Sequence, residues 1–133
     1  MADAPERDRE APGRHTLGYL KQQVTRIYNA VNQEFFAQGV DWIRIDVIGN
    51  RILIIAKHRR IRGLAKLDAT RRELTRIIDV ALIDENKKLL KQELEKEFPE
   101  VQIRTILKDY DPVTELSGTI VVGDKSFEEL FKE

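Results

Sequence analysis

Apolar residues along the first third of the chain recur at Leu17, Leu20, Val24, Ile27, Tyr28, Val31 and Phe35. Steps of three and four place them on one stripe, and the spacing predicts a helix over 16–38. Thr16 is positioned as its N-cap and Gly39 as the left-handed residue that ends it. The period then changes to two. Ile43, Ile45 and Val47 alternate with Arg44 and Asp46, Gly49-Asn50 supplies a two-residue turn, and a β-branched run returns from Arg51 to Lys57. Such a turn fixes the register: Ile48 against Arg51, Val47 against Ile52, Ile45 against Ile54 and Ile43 against Ala56. One face of the hairpin is then Ile43, Ile45, Val47, Ile52, Ile54 and Ala56, a core face. The other carries Trp42, Arg44, Asp46, Ile48, Arg51, Leu53, Ile55 and Lys57, and is mixed rather than polar.

Residues 58–69 read as a connector, and Thr70-Arg71-Arg72-Glu73 has the form of a capping box. Leu74, Ile77, Ile78, Ala81, Leu82, Leu89, Leu90, Leu94 and Phe98 then keep helical phase up to Pro99, with a kink or break expected at Asp84-Glu85-Asn86. Val101, Ile103, Thr105 and Leu107 alternate as a third strand, Asp111-Pro112 marks a turn, and Thr119–Val122 form a fourth strand. Ser126-Phe127-Glu128-Glu129 repeats the capping-box pattern ahead of a short helix with Phe127, Leu130 and Phe131 on one side. The order α-β-β-α-β-β-α predicts an α+β fold: a two-layer domain with a four-stranded, mainly antiparallel sheet of two hairpins and helices on one face. Residues 1–15, rich in charge and proline, are expected to be a disordered tail, and 16–133 a single domain.

Composition narrows the function. The 133 residues hold 23 Lys plus Arg and 23 Asp plus Glu, a net charge of zero. That balance disfavours a protein devoted to nonspecific binding of nucleic acid or anionic membrane. The chain has no cysteine, which removes disulfides and thiolate chemistry and suggests a cytoplasmic setting. No run approaches the roughly 18 apolar residues of a membrane span, so an integral membrane protein is not expected. The zero is nevertheless a sum. Residues 57–76 carry a surplus of six positive charges, and residues 109–133 a surplus of five negative ones.

Candidate chemistry is sparse. The two histidines are His15, in the tail, and His58, within Lys57-His58-Arg59-Arg60. Neighbouring cations disfavour an imidazolium there, and a solvated histidine at the strand end is the expectation. Asp109-Tyr110-Asp111 offers two carboxylates, but turn chemistry explains them better than a metal does. No Gly-rich phosphate loop is present. No catalytic residue, metal or cofactor is expected. Two features point to binding instead. Trp42, Ile48, Leu53 and Ile55 face away from the core; with Phe127, Leu130 and Phe131 of the last helix they form an apolar contact surface, unless that helix instead folds over the sheet face and covers it. Lys57, Arg59, Arg60, Arg62, Arg71 and Arg72 form a basic patch that suits RNA or a phosphate ligand, or a solvated face paired with the acidic segment.

The run FFAQGVDWIRIDVIGNRILIIAKHRRIRGLAKLDATRRELTRI, a long helical stretch, and then VQIRTILKDYDPVTELSGTIVV together resemble a small bacterial family. That family is named for the C subunit of a Na⁺-translocating membrane-potential-generating system. Ala37-Gln38-Gly39-Val40 stands where its members tend to show a Gly-Arg-Gly-Pro-like turn, and Ile61-Arg62-Gly63-Leu64-Ala65 where they tend to show a Leu-Thr-Pro-x-Glu-like connector. The resemblance implies a small accessory or regulatory protein without enzymatic activity, associated with a bicarbonate or cation transport complex. The expected function is therefore that of a regulatory or adaptor protein working by protein–protein contact, with itself or a partner. RNA or phosphate binding through residues 57–62 is the alternative.

Overall fold

A computed structural model describes residues 16–132; the predicted N-terminal tail lies outside them. The fold is α+β, with one antiparallel sheet and four helices among the described residues. In chain order these are α1 (Leu17–Phe36), β1 (Trp42–Ile48), β2 (Arg51–Lys57), α2 (Arg62–Asp68), α3 (Arg72–Glu97), β3 (Ile103–Asp111), β4 (Leu116–Gly123) and α4 (Phe127–Leu130).

Thr16 caps α1 as predicted, its Oγ1 accepting from the Tyr19 N–H at 3.0 Å. The helix ends earlier than the expected residue 38. Ala37, not Gly39, takes the left-handed conformation at φ 58°, and its N–H returns to the Gln33 carbonyl at 2.9 Å. Gly39 serves close approach instead. A Cβ there would meet Asn29 Oδ1 at 3.0 Å, the same oxygen that accepts from the Val40 N–H at 3.1 Å.

The first hairpin pairs in the register its turn dictates, from Trp42 with Lys57 through Ile48 with Arg51. The second hairpin, β3–β4, joins it through β4 beside β2, giving the order β1-β2-β4-β3. Strict alternation fails in β3. A bulge between Ile103 and Thr105 shifts the pairing, and that single extra residue turns Ile106 inward and Leu107 outward.

Three expectations for residues 58–98 are corrected. The connector contains α2. The capping box does not form; α3 starts at Arg72 with Arg71 as N-cap and no side-chain hydrogen bond at that cap among the described residues. Finally, α3 runs unbroken through Asp84-Glu85-Asn86. Asp84 and Glu85 project outward and pair with Lys87 and Lys88 one turn on, so they cost the helix little. The buried line of α3 is Thr75, Asp79, Asn86, Leu90 and Leu94, leaving Leu74, Ile77 and Val80 exposed.

One hydrophobic core lies between the helices and the inner face of the sheet. Leu20, Val24, Tyr28 and Val31 of α1 meet Ile45, Ile52, Ile54 and Ala56 of the first hairpin, with Leu90, Leu94 and Val121 closing it. The short helix α4 belongs to this core. Ser126 caps it through the Glu129 N–H at 3.2 Å, and the Phe127 N–H and the Glu128 carboxylate fasten it to Gly49 in the first turn. Phe127 and Phe131 are thereby fully buried, with Phe131 edge-on to Phe98 at 5.5 Å.

Candidate functional site

The outer face of the sheet is built by register. Reading across β1-β2-β4-β3, its cross-strand rows are Ile48–Arg51–Val122–Thr105, Asp46–Leu53–Ile120–Leu107, Arg44–Ile55–Gly118–Asp109 and Trp42–Lys57–Leu116–Asp111. Relative exposure is 47% for Trp42, 49% for Ile48, 41% for Ile55, 55% for Leu107 and 36% for both Leu116 and Ile120, while Leu53 is half-buried between them. The predicted apolar quartet Trp42, Ile48, Leu53 and Ile55 is therefore uncovered by the described residues. Leu107, Leu116 and Ile120 enlarge it. Alternation in the second hairpin carries the signal for Leu116 and Ile120, which fall out of phase with the buried Thr119 and Val121; the bulge hides it for Leu107.

Phe127, Leu130 and Phe131 do not join this surface. Phe127 and Phe131 are core residues, and Leu130 packs partly buried against the same core. The reason is the anchoring of α4 beneath the Gly49 turn, which directs its apolar side to the inner face. These three residues are withdrawn from the contact surface, and they do not cover it.

The basic segment divides in two. Arg60 is not a surface cation: only 6% of its side chain is exposed, and its guanidinium is held between two carboxylates. Its Nε and Nη2 donate to Asp68 at 2.9 and 2.8 Å, and Nη1 and Nη2 donate to Asp79 at 2.6 and 3.1 Å. Arg72 joins the network, donating from Nη1 to Asp79 at 3.1 Å and to Thr75 at 2.9 Å. The Arg60 fork holds the Asp68 carboxyl down at about 2, against an ordinary value near 3.8. Hydrogen bonds to Asp68, then Asp79, raise the Arg60 guanidinium further above its already high value. Of the predicted patch, Arg59, Arg62 and Arg71 are exposed and Lys57 is half-buried. Arg60 and Arg72 are engaged in the fold.

The largest departure from expectation is His58. It is buried rather than solvated, stacked between Phe36 at 5.5 Å and Tyr110 at 4.7 Å. Its backbone holds β2 to the second hairpin. The N–H donates to the Glu115 carbonyl at 3.1 Å, and the carbonyl accepts from the Tyr110 hydroxyl at 3.0 Å. Neither ring nitrogen has a hydrogen-bond partner among the described residues. Burial, reinforced by the Lys108 ammonium, lowers its pKa to about 4, so the ring is neutral at physiological pH. Burial likewise raises the Tyr110 hydroxyl well above its ordinary value.

Phe36, His58, Asn86, Lys108 and Tyr110 line a cavity of about 30 Å³, room for one or two water molecules. Lys108 is tied at one side of it, donating from Nζ to the Tyr28 hydroxyl at 2.9 Å. The cavity is too small for an organic substrate in this conformation.

Asp109 and Asp111 act on their own backbone. Their carboxylates accept from the N–H groups of Tyr110 at 2.8 Å and Val113 at 2.9 Å. The Val113 bond comes first among the causes that hold the Asp111 carboxyl below its usual range. Among the described residues, no helix is long and apolar enough to cross a membrane.

Fold and face together define a two-layer α+β domain whose sheet is covered by helices on one side only. No family model, curated protein or solved structure matches the chain.

Proposed function

We propose that this chain is a non-enzymatic regulatory or adaptor domain that acts by protein–protein contact through the outer face of its sheet. One observation carries the reading: the apolar side chains of Trp42, Ile48, Ile55, Leu107, Leu116 and Ile120 are exposed together on a regular surface. Contiguous apolar patches on a folded domain mark contact surfaces far more often than they are neutral decoration. Arg44, Asp46, Arg51, Asp109 and Asp111 border this one, an apolar centre with a charged rim of the kind protein interfaces show. The family resemblance of the sequence supports the same kind of role, in a cytoplasmic accessory protein attached to a bicarbonate or cation transport complex.

Site-directed photo-crosslinking tests the reading. A benzoyl-phenylalanine in place of Ile120 should give covalent adducts in the producing cell, and the same probe in place of the exposed Gln92 on α3 should not. Equal adducts from both positions, or none from Ile120, would remove the outer face as the working surface.

A further inference from the structure

Pairing within the fold sorts the cations of residues 57–76. Arg60 and Arg72 are taken up by Asp68 and Asp79. Arg76 lies beside Asp109 and Asp111 at the outer face of the sheet. Lys57 and Asp41, joined through their backbones at the open end of the first hairpin, balance each other. Arg59, Arg62, Lys66 and Arg71 are left. All four are exposed, and none forms an ion pair with a described residue. The acids that remain at this end are Glu73, in the first turn of α3, and Glu115, whose carboxylate accepts from the Arg60 N–H at 2.8 Å. The cations outnumber them, and the acidic C-terminal quarter does not pair with them.

The four are arranged along α2. Arg62 and Lys66 stand one turn apart on its exposed side, about 6 Å along the axis, while Leu64 and Asp68 mark its inner side. Arg59 leads into the helix and Arg71 follows it. The positions between them are small. Gly63, Ala65 and Ala69 are exposed, and a Cβ at Gly63 would meet nothing within 4 Å. Leu67, 37% exposed, is the one large apolar side chain that α2 exposes.

We propose that this basic ridge binds the phosphate backbone of a nucleic-acid duplex, without reading its sequence. A lipid surface or a protein partner takes up apolar side chains at the centre of the contact, and the ridge offers Leu67 alone. A single strand is held by stacking on aromatic rings, and residues 59–71 contain none. A duplex needs neither. It presents one negative charge per about 1.7 Å of its axis, and the small residues of α2 allow that backbone a close approach. The ridge uses no residue of the apolar outer face, so this is a second contact and stands apart from the first. Four phosphate contacts set its strength. Affinity should fall with salt along a log–log slope of about −3 to −4, a loss of about a hundredfold between ~50 and ~200 mM.

Fluorescence anisotropy of a labelled duplex of about 20 base pairs, made as DNA and as RNA, tests this with the full chain across that salt range. Both forms present the same phosphates, and binding of either supports the ridge. Arg62→Ala and Lys66→Ala should each weaken binding several-fold and reduce the salt slope by about one. Arg76→Ala, which removes a cation beside the sheet's own acids, should do neither. All three positions are exposed, and circular dichroism checks that the variants fold. No binding at the lower salt with hundreds of micromolar chain overturns the proposal. An equal loss from Arg76→Ala assigns the binding to the general charge of the chain and overturns the ridge. A single strand of the same length, or vesicles of phosphatidylcholine and phosphatidylserine, bound as tightly as the duplex would overturn the duplex as its occupant.

Discussion

Arg60 looks, in the sequence, like one more cation in a basic run; in the fold it joins the approach to α2 with the first turns of α3. Its guanidinium meets two carboxylates, and the Asp79 side chain beside it is only 10% exposed. Removing one member of a buried ionic network leaves the others desolvated and unpaired, a cost of about 3 kcal/mol. Arg60→Ala should therefore lose about that much in urea unfolding, and Arg60→Lys should recover only part of it, because an ammonium cannot make the paired fork. Arg59→Ala, one residue away and exposed, should change stability by less than about 0.5 kcal/mol. His58 makes a pH prediction. Above pH 6.5 its ring is neutral in both the folded and unfolded chain. As pH falls below 6.5 the unfolded chain takes up a proton that the folded chain refuses until about pH 4. Its contribution to stability is thus complete above pH 6.5 and lost between 6.5 and 4, about 3 kcal/mol in all. His58→Phe keeps the stack with Phe36 and Tyr110 and should flatten that window. A further loss at lower pH should remain, because Asp68, lowered to about 2, gives up its stabilising charge between about 4 and 2.

At the scale of elements, two backbone positions set where the parts end. Ala37 closes α1 at φ 58°, a region in which a side chain costs about 1 kcal/mol. Ala37→Gly should raise stability by up to about 1 kcal/mol in thermal unfolding, the relief of strain being partly offset by a freer unfolded chain. Gly123 has the opposite sign. A Cβ there would lie 2.8 Å from Val101 Cγ1 and 3.0 Å from the Phe127 ring, both fixed in the core. Gly123→Ala should cost about 2 kcal/mol and loosen α4 first, visible as faster amide exchange at Phe127 and Leu130. The long helix α3 shows why periodicity misread this element. Its apolar stripe drifts around the axis, and the N-terminal half is oriented by Asp79 reaching inward to Arg60. Leu74 and Ile77 are turned out as a consequence.

For the whole molecule, the governing fact is that the described helices all pack on one side of a four-stranded sheet. The other side keeps apolar residues that do not contribute to the monomer's core. Ile55→Lys and Ile120→Lys should leave the melting temperature within a few degrees of wild type in scanning calorimetry, since exposed positions carry little folding energy. The same changes should reduce binding of a hydrophobic dye. A fall in melting temperature of about ten degrees would mean that these side chains support the fold rather than a contact. The asymmetry of charge along the chain also takes a different form in three dimensions. Arg60 and Arg72 are neutralised mainly by Asp68 and Asp79 from their own stretch of chain, not by the acidic C-terminal quarter. Within that quarter, Asp109 and Asp111 lie on the outer face at the β3 edge, beside Arg72 and Arg76.

Local chemistry by itself determined much of this protein. The α+β class, the caps at Thr16 and Ser126, and the first hairpin to the residue follow from period, turn type and short-range hydrogen bonding, which the chain carries along its own length. The outer positions Trp42, Ile48, Leu53 and Ile55 follow from the same register. Tertiary structure decided what depends on partners distant in sequence. His58 looks solvated until Phe36 and Tyr110, 22 and 52 residues away, close over it. The fate of Arg60 depends on Asp79, 19 residues on. The side taken by Phe127 and Phe131 depends on a hydrogen bond to Gly49, 78 residues back. Periodicity reports that a side chain is apolar and which face it shares; which neighbour covers that face is settled only when the layers meet.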